Sequence, residues 1–223
     1  MRLELGKPVR SKDDEVVGEL ADVIIDPVAK RVTHLVVKQH HEHGESRLVA
    51  IDLAVPDEDE DQISLSCAAD EVRQLPNIED FAYLRLGEPV VSDADWDVGV
   101  TNVLALPYYD SALGPAGALD ENVGVFYDRI PKGEVEIRRS SRVTTSDGHY
   151  VGDVDGFLVD ADHITHFVLE RGHLWGRREI TIPIGSVTRV ESDAVSLALS
   201  KDEIGALPAR KVHRWPLLGR KDH

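Results

Sequence analysis

The sequence predicts an all-β protein made of two like units, and two observations predict it. First, the chain nearly repeats itself. A shift of 132 residues lays Val32-Thr33-His34-Leu35-Val36-Val37 over Ile164-Thr165-His166-Phe167-Val168-Leu169, Val55 over Val187, Ser64-Leu65 over Ser196-Leu197 and Leu75-Pro76 over Leu207-Pro208. A shift of 134 lays Val9 over Val143, Gly18 over Gly152 and Asp26 over Asp160, so the turn after Asp26 is two residues longer in the first copy. Self-similarity of this kind marks a repeated structural unit. Second, both copies are short β-branched runs broken by turn residues, the pattern of small all-β domains.

The first unit spans residues 1–76. Val9 leads into the polar turn Ser11–Glu15, followed by Val16-Val17-Gly18-Glu19-Leu20 and Val23-Ile24-Ile25-Asp26. Asp26-Pro27 opens a turn. Val32–Val37 is apolar at both alternating positions, as in a strand covered on both faces. A polar loop, His40–Ser46, precedes Leu48–Ile51, and the acidic turn Asp57–Asp61 precedes Ile63-Ser64-Leu65. A short helix around Ala69–Leu75 stops at Pro76, which cannot continue the helical ladder.

The second unit, residues 135–208, repeats the order. Gly148 in Ser146-Asp147-Gly148 suits a positive φ in the first turn. Ser200-Lys201-Asp202-Glu203 is a capping box for the closing helix; the first copy has Ala68 at the serine position. Residues 77–134 are dense in Asp, Glu, Gly and Pro and are expected to be a long acidic linker, partly irregular, whose clusters Phe81–Leu84 and Val100–Tyr109 can dock on a unit. Residues 209–223 form a basic tail around Trp215.

Composition bounds the function. The chain has 223 residues, 42% hydrophobic and 30% charged, which is globular. A formal net charge of -16 argues against direct nucleic-acid binding, which needs cations to neutralise phosphates. The single cysteine, Cys67, excludes an intramolecular disulfide and fits a reducing cytoplasm. There is no secretory pattern at Met1–Glu15 and no apolar run long enough to span a bilayer, so a cytoplasmic location is expected.

The runs Val9…Gly18…Val23-Ile24-Ile25-Asp26…Thr33-His34-Leu35-Val36-Val37 resemble a PRC-barrel domain. Val143…Gly152…Val159-Asp160…Thr165-His166-Phe167-Val168-Leu169…Ile182-Pro183 resembles a second. The family's small β-barrel is shared by the reaction-centre H subunit and a ribosome maturation factor, and the tandem arrangement is similar to uncharacterised actinobacterial proteins. The resemblance implies two such barrels, each with a short C-terminal helix. It also implies a protein-docking module with no cofactor and no catalytic residues to carry over. The reaction-centre subunit's membrane helix has no counterpart in this sequence.

Two loops carry candidate site residues. His40, His41 and His43 put three imidazoles in four residues, a possible metal site if they converge on one ion, or else a solvated hairpin tip. His173, Leu174, Trp175, Arg177 and Arg178 form a glycine-bounded tip with residue types common at interface hot spots, or else Trp175 folds back on its own unit. His34 and His166 recur at one place and read as structural. Asp26 and Asp160 read as turn formers. No phosphate loop, dinucleotide fingerprint or activated nucleophile is present. The expectation is therefore a non-enzymatic adaptor or assembly module, able to form a homodimer, that binds a protein partner. The alternatives are a small-ligand or metal sensor using the His40–His43 loop and, on fold analogy alone, a membrane-peripheral electron-transport role like that of the reaction-centre H subunit.

Overall fold

A computed structural model of the protein describes residues 1–39, 45–56, 62–85, 87–105, 122–171 and 178–211. The described chain is mostly β, with 59% of residues in strands and 10% helical. In the first unit, β1 (Arg2–Glu4), β2 (Pro8–Arg10), β3 (Val16–Asp26), β4 (Arg31–Lys38), β5 (Ser46–Ala50), β6 (Ala54–Val55) and β7 (Ile63–Leu65) lead to α1 (Ala69–Gln74). The middle segment contributes β8 (Glu79–Arg85), β9 (Trp96–Ala105) and β10 (Asn122–Pro131). The rest holds β11 (Val135–Arg138), β12 (Arg142–Thr144), β13 (Tyr150–Asp160), β14 (His163–Arg171), β15 (Arg178–Pro183), β16 (Val187–Glu191), β17 (Ala194–Leu197), α2 (Lys201–Ala206) and β18 (Ala209–Lys211).

The ladder of the first unit has a counterpart at each step in the second. β2 pairs antiparallel with β3 and parallel with β7, while β12 pairs antiparallel with β13 and parallel with β17. The β3–β4–β5 meander matches β13–β14–β15. The hairpin after Asp26 takes four residues and the one after Asp160 takes two, the difference read from the two sequence offsets. Gly148 has φ 76°. Ser200 and Glu203 cap α2 reciprocally, whereas at α1 Glu71 accepts from the Ala68 N–H, which leaves half a box.

The first strand of each unit is exchanged. β1 pairs with β13 of the second unit, with Leu3 opposite Phe157. β11 pairs with β3 of the first unit, with Ile137 opposite Val23. The register is the same on both sides, since Val23 and Phe157 are equivalent under the 134 offset. Gly156 makes the β1 approach possible: a Cβ there would stand 2.2 Å from the Leu3 carbonyl oxygen. The units also meet at their hairpins, where the Val32 N–H donates to the Asp162 carbonyl (2.9 Å) and the Ile164 N–H to the Lys30 carbonyl (3.0 Å).

This exchange corrects the expectation of two separate barrels on a linker. The strands form one 15-stranded sheet whose main path runs β16-β17-β12-β13-β14-β4-β3-β2-β7-β6 and does not close into a barrel. One continuous core includes Leu3, Val23, Leu35, Ile137, Phe157 and Phe167, with the two phenylalanine rings edge to face at 4.9 Å. The middle segment also departs from an extended linker. Its described strands form a separate antiparallel sheet, β8-β10-β9. It covers the outer face of the first unit, where Ile78 and Ile130 pack on Ile24 and Val36. Val32–Val37 is thereby covered on both faces, as its doubly apolar pattern predicts.

Because Leu3 is fully buried against the other unit, Leu3→Ala should cost about 2–5 kcal/mol. Combined with Phe157→Ala, the loss should fall short of the sum of the two single losses, since the residues share one contact. Denaturant unfolding of the two single variants and the double variant measures this; strict additivity would contradict the exchange.

Candidate functional site

The outer face of β3, next to the exchanged strand, carries the chemistry. Side chains alternate along a strand, so with Val23 and Ile25 in the main core, Asp22 and Ile24 face the β8-β10-β9 sheet. Across the ladder Glu136 stands opposite Ile24 and Arg138 opposite Asp22, so Glu136 and Asp22 are diagonal neighbours on one face. β10 brings Asp128 onto them from above. One oxygen from each of Asp22, Asp128 and Glu136 lies within 4.8 Å of the other two.

Glu136 is the innermost member, with 0% of its surface exposed, while Asp22 and Asp128 are half-buried. Its Oε2 accepts from the Val100 backbone N–H at 2.6 Å. Gly99 on β9 makes room: a Cβ there would lie 2.1 Å from Glu136 Oε2. Among the described residues no donor reaches Glu136 Oε1. Arg138 is turned to Asp193. Arg138 acts on Asp22, and Lys38 on Asp22 and Asp128, only through space.

Burying carboxylates disfavours their charged forms, and a neighbouring carboxylate adds to this at Asp22 and Glu136. Burial first, then the Asp128 carboxylate, pushes Asp22 up to about 7. Burial raises Asp128 too, helped by Glu79 and opposed by Glu136 and Lys38. Burial followed by Asp128 and Asp22 raises Glu136 furthest. The trio can share protons, or it can gather around a cation.

The residues singled out from sequence lie elsewhere. His40, His41 and His43 fall outside the described residues, as do His173, Leu174, Trp175 and Arg177. Arg178 opens β15 with an exposed side chain opposite Lys211 in the ladder. His34 Nδ1 is 3.1 Å from Thr33 Oγ1 and His166 Nδ1 is 3.2 Å from Thr165 Oγ1, so each histidine rests on its preceding threonine at a half-buried position. Asp26 Oδ1 accepts from the Val28 and Ala29 N–H groups, both at 2.8 Å, as a turn former should.

The raised carboxyls set the sign of a pH effect. A group whose folded pKa is raised contributes stability that is fully present below its unfolded value, near 4, and is lost as pH rises through the folded value. For Asp22 that loss runs from about pH 4 to about 7, and for Glu136 it extends higher. With divalent cations removed, Glu136→Gln should therefore gain on the wild type by on the order of 2 kcal/mol between pH 5 and 9. Urea midpoints at both pH values measure the gain; a parallel pH dependence would contradict the assignment.

No curated protein matches the chain. No helix among the described residues is long and apolar enough to cross a membrane. Residues 5–71 match the family model of the PRC-barrel domain. That stretch runs from just after β1 through β7 into α1, so the match to a PRC-barrel domain lies within the first unit.

Proposed function

We propose that the chain is a non-enzymatic, cytoplasmic protein-binding module in which residues 135–208 are a second, internally repeated copy of the PRC-type unit. The matching ladders and the reciprocal strand exchange support the second copy. The observation that carries the binding reading is the aromatic surface of the β8-β10-β9 sheet. Phe81 is 46% exposed and Tyr83 60%, on a strand that stands outside the main core. Phe81 leans on Phe126 at a centroid distance of 5.3 Å, so one side of this patch is anchored while its rings stay in solvent. Exposed aromatics grouped on one element favour a protein partner over a small ligand, because they offer area without a cavity. On the same sheet Arg129 lies 4.7 Å from the centroid of Trp96, which stacks on Tyr127.

A partner captured with the full chain, then purified and titrated, should bind the Phe81→Ser/Tyr83→Ser double variant at least tenfold more weakly, with the fold unchanged by circular dichroism. Trp175→Ala gives the comparison for the loop of the second unit. Equal affinity of wild type and the double variant would remove the aromatic patch from the proposal.

A further inference from the structure

The carboxylate trio has a structural counterpart that resolves the same problem in another way. Under the 134 offset Glu136 is equivalent to Arg2, and Asp22 to Gly156. The registers agree, with Arg2 opposite Leu158 where Glu136 is opposite Ile24. At the β1–β13 seam the exchanged strand therefore supplies its own cation, and Arg2 pairs with both Glu179 and Glu4. At the β11–β3 seam the exchanged strand supplies Glu136, next to Asp22 where its mate has no side chain, and β10 adds a third carboxylate. At the first seam the cation pairs directly with the neighbouring acids, while at the second Arg138 turns to Asp193 and reaches Asp22 only through space, so the three carboxylates face one another.

A cluster of acids alone is a common surface feature, but this one is not on the surface. Glu136 is wholly buried, its carboxyl meets the Asp128 carboxyl, and among the described residues no donor reaches its Oε1. Burying such an oxygen unpaired is costly, yet the surroundings admit it at the expense of a side chain at Gly99. We propose that Asp22, Asp128 and Glu136 bind one hard divalent cation, of the Ca²⁺ or Mn²⁺ class, at the seam between the two sheets.

The chemistry of the donors selects the ion. All three are carboxylate oxygens, which suit hard cations, and no sulfur or imidazole is present in the set. Oxygens around Ca²⁺ lie about 2.3–2.6 Å from the ion, so donors on opposite sides stand about 5 Å apart. Three oxygens within 4.8 Å of one another can reach such an ion with little rearrangement. Mg²⁺ needs shorter bonds of about 2.0–2.1 Å and gives up water reluctantly, which suits a wholly buried inner ligand less well. The half-buried Asp22 and Asp128 leave an approach from solvent, and the net charge of -16 raises the local concentration of cations. A bound ion would join β3, β10 and β11, fastening the β8-β10-β9 sheet to the exchanged strand.

The test uses the full chain, stripped with chelator and titrated with CaCl₂ and separately with MnCl₂ at pH 7.5 by calorimetry, with thermal unfolding in parallel. One site per chain is expected, with the midpoint rising by roughly 5 °C at a hundredfold excess over Kd. Asp128→Asn and Glu136→Gln should each weaken binding at least tenfold. Glu136→Gln keeps the shape of the side chain and its acceptor for Val100, and Asp22→Asn provides a third variant if either fails to fold. Absence of heat and of a midpoint shift with both cations would overturn the site and leave the trio as a proton-sharing cluster. Binding that survives in the variants would also overturn it, by assigning the effect to the acidic surface.

Discussion

The structure depends on the exchange of the first strands. Along one edge of each unit's longest strand, β3 or β13, the unit's own β2 or β12 pairs only the first part, and the other half of the chain supplies the strand that pairs the rest. Unpaired backbone groups along a buried strand are costly, so neither long strand can keep its ladder if the other half moves away. The same contact places Leu3 and Ile137 in a shared core. The sheet therefore runs through both units, and residues 77–134 must lead from the end of α1 back to β3 of the same unit before the chain can deliver β11.

That path explains why the middle segment folds where it does. The doubly apolar stretches of β3 and β4 leave Ile24 and Val36 pointing away from the main core, and this apolar area needs cover. The segment already passes over it, and Ile78 and Ile130 provide the cover from one end of the β8-β10-β9 sheet, where β8 begins and β10 ends. Placing β10 on this face also brings Asp128 against the two carboxylates of the seam. The acidic trio thus follows from the exchange together with the cover. Its mate escapes the same difficulty because the strand inserted there carries Arg2.

The sequence is most informative where the interactions are local. The hairpin lengths after Asp26 and Asp160, the positive φ of Gly148, the Ser200–Glu203 cap and the two-sided burial of Val32–Val37 all depend on a few neighbouring residues, and each is legible. The strands of the middle segment are not: β8 alternates only weakly, and the acidity around it reads as linker because the face it covers lies on another element. The trio is hidden for a similar reason. Asp22 and Glu136 are separated by more than half the chain, and nothing near either shows that a strand will be exchanged. Two hints were present. Asp22 interrupts a run of buried apolar residues between Leu20 and Ile25, and Glu136 stands between Val135 and Ile137 where the other copy has Arg2. Lining up the two copies by charge as well as by apolar pattern would have exposed that inversion.

The inversion gives the two halves different tasks within one architecture. Arg2 is tied covalently to its seam, so that junction has a fixed charge balance. At the Glu136 seam Arg138 and Lys38 act on the acids only through space, so the balance there depends more on protons or on ions from solution. β10 links that seam to the aromatic surface, since the strand carrying Asp128 also carries Phe126, which supports Phe81. A change of charge among three buried carboxylates alters the force holding β10 against β3 and β11, and β10 is the central strand between β8 and β9. Asp128 at the seam and Phe126 beneath Phe81 are thus carried on one strand. The same connection is absent from the second unit, whose equivalent face has Gly156 and a paired arginine.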